Sequence, residues 1–331
     1  MPYYADKVLS VIRPPCYCRH FEFFGIVAAM SETGAQQTTW TVGRLLQWTT
    51  QWFNERRVEG GRLTAELLLA RACGCKKIDL YTRWETEPTD EQRAAFRELV
   101  RQAGEHTPIA YLLGEREFYA LDFTVSPAVL VPRPETEALV QRVIELCRAE
   151  PLREWRILDL GTGSGCVGIA IAKYAANARV IGSDISADAL AVAAGNVERH
   201  GVGDRVRLAQ ADGPALPADA VPPGGFDVLA SNPPYISERL WPSLPPNVRD
   251  HEPRIALVPP GDDGLSMYRR LAAEAPAVLA DGGLLLAEIG YDQHAAVRQI
   301  FNDADHWEYL RAHRNASDPY DRVLEFRLRN K

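Results

Sequence analysis

No run of about 18 consecutive apolar residues occurs in the chain, which excludes a membrane-spanning helix. Positive charge is also scarce. Its 37 Lys and Arg against 44 Asp and Glu leave a formal net charge of -7 over 331 residues, which argues against a large duplex-binding surface. The six cysteines are Cys16, Cys18, Cys73, Cys75, Cys147 and Cys166. They are too few for a disulfide framework and lack the partner spacing of zinc sites, so no metal is expected and reduced thiols in a cytoplasmic protein are. Internal repeats and low-complexity tracts are missing too. What remains is a globular chain of two domains, with 46% hydrophobic residues to fill their cores.

Along the chain the texture changes three times. Residues 1–30 include "RPPCYCRHFEFFGIVAAM", which loosely resembles a signal peptide, but Glu22 interrupts the apolar run and no small-residue cleavage site follows. They are read as a disordered or mis-called extension with Met30 as the functional start. Residues 31–115 read as helical: Val42, Leu45 and Leu46 recur at i, i+3, i+4, as do Leu63, Leu67 and Ala70. Thr89 or Asp90 offers an N-cap before Ala95, Phe96, Leu99 and Val100. Residues 116–135 read as a β-hairpin linker on the alternation in "EFYALDFTVSPAVL", leading to an amphipathic helix that begins near Glu135.

Residues 136–331 alternate strand and helix, the pattern of a mostly parallel sheet covered on both faces. Ligands on such sheets sit beyond the carboxyl ends of the strands. "RILDL" runs into Gly161-Thr162-Gly163-Ser164-Gly165 and an apolar helix. Glycines there let backbone N–H groups approach a ligand, a device shared with dinucleotide sites. Asp159 ahead of the loop favours S-adenosylmethionine (AdoMet), whose ammonium and sulfonium suit a carboxylate as a pyrophosphate does not. Asp184 ends the next strand, placed to accept ribose hydroxyls. Asp212 follows the third, where it would sit beside adenine.

The fourth strand, "FDVLASNPPY", must stop at Asn232, because prolines are poor strand residues. Fixed φ angles then hold the Asn232 carboxamide, the Pro233 carbonyl, Pro234 and the Tyr235 ring as two acceptors and a flat face. Such a corner suits a planar NH2 group whose lone pair must leave conjugation before it attacks a methyl donor. An adenine amine and a side-chain amide both answer that description.

Several segments together resemble the HemK-type (PrmC) protein glutamine N5-methyltransferases: "TAELLLARACG", "PIAYLLGEREFYALDFTVSPAVLVPRPETEALV", "ILDLGTGSGCVGIAIA", "SNPPYI", "HEPRIALVPPGDDGLSMYRRL" and "LLLAEIGYDQHAAVRQIF". They cover roughly Thr41 to the C-terminus. The resemblance implies an α/β fold, a class I, Rossmann-like AdoMet-dependent methyltransferase domain behind a small helical domain that docks the substrate. That substrate would be the glutamine of the Gly-Gly-Gln loop of class 1 peptide chain release factors. Asp159, Gly161, Thr162, Gly163, Ser164, Gly165, Asp184, Asp212, Gly213 and Asn232 would hold AdoMet. Asn232, Pro233, Pro234 and Tyr235 would cradle the glutamine amide, with Asn232, Pro233 and Tyr235 the catalytic set. Gly213 departs from the aromatic residue common in the family after the third-strand acid. A sister group acts on ribosomal protein L3; "DLGTGSG" and "EIGYDQ" favour the release-factor branch, and a DNA or RNA amine is the remaining alternative. A monomer without a specific nucleic-acid partner is expected.

Other residues read as structural: Glu135 as a dipole-favoured acid at a helix start beside Arg133, Glu252 as a packing or salt-bridge group, and Trp48, Trp52, Trp84 and Tyr111 as core. Arg56 and Arg57 read as a solvated face.

Overall fold

The computed structural model describes residues 39–315 and 318–330. The extension expected at residues 1–30, with Cys16 and Cys18, lies outside the described residues.

Five helices come first: α1 (Val42–Glu55), α2 (Gly61–Cys73), α3 (Lys77–Thr82), α4 (Asp90–Gly104) and α5 (Ile109–Leu113). Their starts are set locally. Thr41 Oγ1 accepts from Arg44 N at 3.3 Å, and Thr89 and Gln92 form a capping box at α4. Val42, Leu45 and Leu46 turn inward to meet Phe53, Leu68, Leu69 and Phe96 in one core. Gly104 is needed there, since a Cβ would sit 2.2 Å from Trp52 Cη2. Trp52 is buried, while Trp48 and Trp84 pack on the same core from half-buried positions. Arg57 is exposed as read, but Arg56 lies 4.1 Å over the Trp52 ring and so covers the core rather than merely meeting solvent.

A hairpin follows, β1 (Glu115–Phe118) with β2 (Leu121–Thr124), shorter than the aromatic run suggests. Tyr119 and Ala120 both take positive φ, 52° and 57°, as a two-residue type I′ turn demands, although Gly or Asn is the usual choice. Tyr119 is held in place from outside the hairpin: its N–H donates to Glu137 Oε1 at 3.1 Å and its ring meets Tyr174 edge-on at 5.3 Å. Phe118 and Phe123 enter the core of the large sheet. Beyond the hairpin a 3-10 turn, Pro134–Thr136, precedes α6 (Glu137–Ala149). The helix thus starts two residues later than Glu135, and the buried Thr136 at its N-cap makes no side-chain cap bond.

The sheet has strands β3 (Trp155–Leu160), β4 (Ala178–Asp184), β5 (Val206–Gln210), β6 (Phe226–Ser231), β7 (Leu279–Glu288), β8 (Trp307–His313) and β9 (Val323–Leu328). Their order is β5-β4-β3-β6-β7-β9-β8. The first five are parallel, and β9 pairs antiparallel with both β7 and β8. Helices α7 (Cys166–Tyr174), α8 (Ala187–His200), α9 (Pro246–Arg249), α10 (Ser266–Glu274) and α11 (His294–Asp303) complete the fold. β6 is buried along its whole length, the signature of a parallel strand covered on both faces. "ADGG", which reads as a turn, is the start of β7; a register shift opposite Phe226 and Val228 absorbs its glycines. Among the described residues no helix is long and apolar enough to cross a membrane.

Candidate active site

Sheet register brings the candidate residues together. Leu160 at the end of β3 pairs with Ser183 on one side and Ser231 on the other. The residues that follow, Gly161, Asp184 and Asn232, therefore emerge side by side where the strand order turns back, the place where open sheets bind ligands. Ser231 Oγ donates to the Leu160 carbonyl at 2.8 Å and ties the two strand ends.

Asp159 is the hub of the glycine loop. It is 1% exposed, and its Oδ2 accepts from Thr162 Oγ1 at 2.6 Å and from Gly168 N at 2.9 Å. Burial pushes this carboxyl up to about 6 against those two donors. The same bonds need Gly168: a Cβ there would approach Val180 Cγ1 to 2.9 Å and Asp159 Oδ2 to 3.0 Å. Asp184 clasps the loop from the other side, with Oδ2 accepting from Gly163 N and Oδ1 from Ser186 N, both at 2.9 Å. Gly161 and Gly163 hold φ of 74° and 53°, conformations costly for other residues.

These groups line a cleft of about 350 Å³, within the range of small-molecule sites. Asp159, Gly161, Thr162, Gly163, Ser164, Asp184, Asp212, Gly213, Asn232, Pro233 and Pro234 all border it, whereas Gly165 and Tyr235 do not. Gly165 instead sits at the start of α7 against α8, where a Cβ would lie 2.8 Å from Ile169 of α7 and 3.4 Å from Ala193 of α8. Tyr235 is half-buried behind the corner, its carbonyl accepting from Gln293 Nε2 at 2.9 Å and its phenol pushed well above the usual range by burial. Asp212 is exposed and committed elsewhere: its Oδ1 pairs with Arg270 at 2.5 Å and its carbonyl accepts from the same guanidinium at 2.6 Å. Gly213 holds φ at 62°, which favours glycine, and a Cβ there would also lie 2.7 Å from Arg270 Cζ.

Other participants come from the segments that flank the loop and the corner. Thr136 lines the cleft, and its Oγ1 accepts from Asn232 Nδ2 at 3.1 Å. Arg270 and Met267 border the cleft from α10. Glu252 does order this region: its carboxylate, 1% exposed, pairs with Arg133 and accepts from Val131 N at 3.2 Å. Tyr111 is half-buried rather than core, donating to the Val129 carbonyl at 2.6 Å.

The donor set fits AdoMet. Two carboxylates flank a glycine loop whose Gly161 and Gly163 meet nothing within 4 Å where a side chain would start, and Ser164 Oγ beside them is buried without a partner. A seven-stranded, mostly parallel sheet, a glycine loop opening α7 and acids at successive strand ends define a class I AdoMet-dependent methyltransferase.

Comparison with known proteins agrees. The PrmC N-terminal domain model matches residues 44–114, and a methyltransferase domain model matches residues 153–311. The release factor glutamine methyltransferase of Rhodopirellula baltica is 47% identical over 262 residues, covering 78% of this chain and 87% of that protein. That of Chlorobaculum tepidum is 41% identical over 81% of this chain and 92% of its own length. That of Geobacter sulfurreducens is 39% identical over 87% and 97%. The chain belongs to the release factor glutamine methyltransferase family.

Proposed function

We propose that this protein transfers a methyl group from AdoMet to the side-chain nitrogen N5 of the glutamine in the Gly-Gly-Gln loop of class 1 peptide chain release factors. One observation carries the reading. The Asn232-Pro233-Pro234 corner and the Asp159-to-Ser164 loop open into a single cleft, so an amide held by the first faces whatever the second binds. Bound AdoMet supplies an electrophilic methyl carbon. The chain's own contribution is positional. Asn232 Oδ1 and the Pro233 carbonyl take the two amide N–H hydrogens and favour a pyramidal nitrogen with its lone pair free. Alignment of that nitrogen accounts for most of the rate. Tyr235, which lies outside the cleft wall, buttresses the corner instead of stacking on the amide. Residues 31–115 serve as the docking domain for the release factor, which is a monomeric enzyme's partner rather than a nucleic acid.

Labelled AdoMet incubated with purified release factor, its Gln→Ala loop variant and bulk DNA tests the reading. Label is expected in the intact release factor alone. Transfer to DNA and not to the release factor overturns it.

A further inference from the structure

Asn232 can accept hydrogens from an amide only if its oxygen, and not its nitrogen, faces the cleft. The two ends of a carboxamide have nearly the same shape, so hydrogen bonding selects between them. Asn232 Nδ2 is directed to Thr136 Oγ1, 3.1 Å away. A hydroxyl owns one hydrogen, and the neighbour that takes it decides whether the oxygen is left to accept.

That neighbour is Glu288. Ser231 pairs with Ala287, so Glu288 emerges from β7 alongside Asn232. It is 2% exposed, forms no ion pair among the described residues, and keeps its Oε2 buried without a partner. The nearby arginines are engaged elsewhere, Arg133 with Glu252 and Arg322 with Asp318. Among the side chains around it, the Thr136 hydroxyl is the hydrogen-bonding group that opposes the rise of the Glu288 carboxyl. Thr136 borders the cleft and Glu288 does not. A buried carboxylate without a cation is costly.

We infer that Glu288, by taking the Thr136 hydrogen, orients the Asn232 carboxamide with Oδ1 toward the cleft, and that Thr136 and Glu288 are therefore positioning residues of the amide-binding corner. What Oδ1 receives rests on the proposed function; the orientation itself does not. The relay has a polarity. An ionised carboxylate only accepts, which leaves Thr136 Oγ1 to accept from Asn232. A protonated carboxyl donates, which frees the Thr136 hydrogen to point at Asn232 and favours the reversed amide. Burial raises Glu288 to about 7, with Glu135 adding to the rise and Thr136, Arg322 and Arg133 opposing it. Tyr235, Tyr268 and Cys166 also face the carboxylate. The switch therefore falls near neutrality, with the productive orientation on its alkaline side.

The test uses the full chain without substrate. The side-chain amide signals of Asn232 and the carboxyl carbon of Glu288 are followed by NMR from about pH 5.5 to about pH 8.5. Both are expected to move with one midpoint in the wild type, and the Asn232 signals to stay flat in Glu288→Gln and Thr136→Val. A Glu288 titration that leaves wild-type Asn232 unmoved overturns the inference. In turnover, Thr136→Val is expected to lose at least about tenfold in kcat with AdoMet affinity retained, Thr136→Ser to restore most of it, and Glu288→Gln to lose the acid limb of the kcat profile. Wild-type kcat and an unchanged pH profile in both Thr136→Val and Glu288→Gln likewise overturn it. Coupled NMR titrations without methyl transfer to release factor would instead remove the functional reading and leave the relay standing.

Discussion

Replacing Thr162 by valine keeps the shape of the side chain and removes the 2.6 Å hydrogen bond to Asp159 Oδ2. Asp159 is already raised to about 6 by burial, with Thr162 and Gly168 N opposing the rise. A hydrogen bond to a charged group contributes about 1.5–3 kcal/mol, and each pKa unit corresponds to about 1.4 kcal/mol. Losing it moves Asp159 up by about one to two units, to between about 7 and about 8. At pH 7 the ionised fraction then drops from about nine-tenths to between about a half and a tenth. Because the carboxylate is the feature that suits a cationic ligand, affinity for AdoMet falls with it, by roughly twofold to tenfold near neutrality. Isothermal titration calorimetry at about pH 6, 7 and 9 reads the effect directly, and the deficit should shrink toward the alkaline end as the variant's Asp159 ionises. An equal deficit at every pH, or none, would falsify the role assigned to the Asp159 charge.

Asn232→Ala is expected to abolish methyl transfer while leaving AdoMet binding within about threefold, measured by label transfer and calorimetry; near-normal turnover would show that the corner is not the amide site. Arg133→Ala strands the Glu252 carboxylate, which is 1% exposed, and should cost about 3–5 kcal/mol in denaturant unfolding, a loss that Arg133→Lys recovers only in part. Glu325, 0% exposed, takes two bonds from Arg142 at 3.0 and 2.9 Å and one from His313 at 2.6 Å. Its carboxyl is held down to about 2 despite burial, so the stability it contributes, of the order of 3 kcal/mol, is present above its unfolded pKa of about 4.5 and lost as pH falls through about 2. Asp159 and Glu288 have raised values and run the other way: the stability they contribute is full in acid and is lost as pH rises through about 6 and about 7. Thermal unfolding from acid to alkaline pH should show both limbs, with Glu325→Gln losing the acid one.

What was legible in the sequence was local. A capping box spans four residues, and Thr89 with Gln92 forms one. The glycine loop and the strand-ending acids Asp159 and Asp184 depend on a short strand-turn-helix pattern, and they line the cleft as read. The illegible parts depend on long separations. Asp212 and Arg270 are 58 residues apart, and nothing near Asp212 reveals that its carboxylate is already paired. Thr136 and Glu288 are ordinary residues in ordinary helix-start and strand contexts; the pairing of β6 with β7 sets Glu288 beside Asn232, and Thr136 reaches the same side chain across 96 residues. The antiparallel β8 and β9 are illegible for a related reason. They follow the last recognisable strand-turn motif, and β8, with one buried position in seven, alternates too weakly to mark itself.

Asn196 on α8 gives the fold a constraint on modular exchange. Its amide nitrogen donates to the Thr124 and Ser164 carbonyls, each at 2.9 Å, and its oxygen accepts from Thr124 N at 2.8 Å. One fully buried side chain thus staples the hairpin to the glycine loop. A chimera cut between hairpin and sheet must keep the Thr124 backbone in register with Asn196, or the two bonds that cross the junction are lost. The serviceable junction is Gly114, where the chain leaves α5 at φ 77° with open space around it. Recombination there would exchange the helical domain as a unit, provided the incoming α5 again presents a donor to the Val129 carbonyl at the cleft edge, as the Tyr111 hydroxyl does.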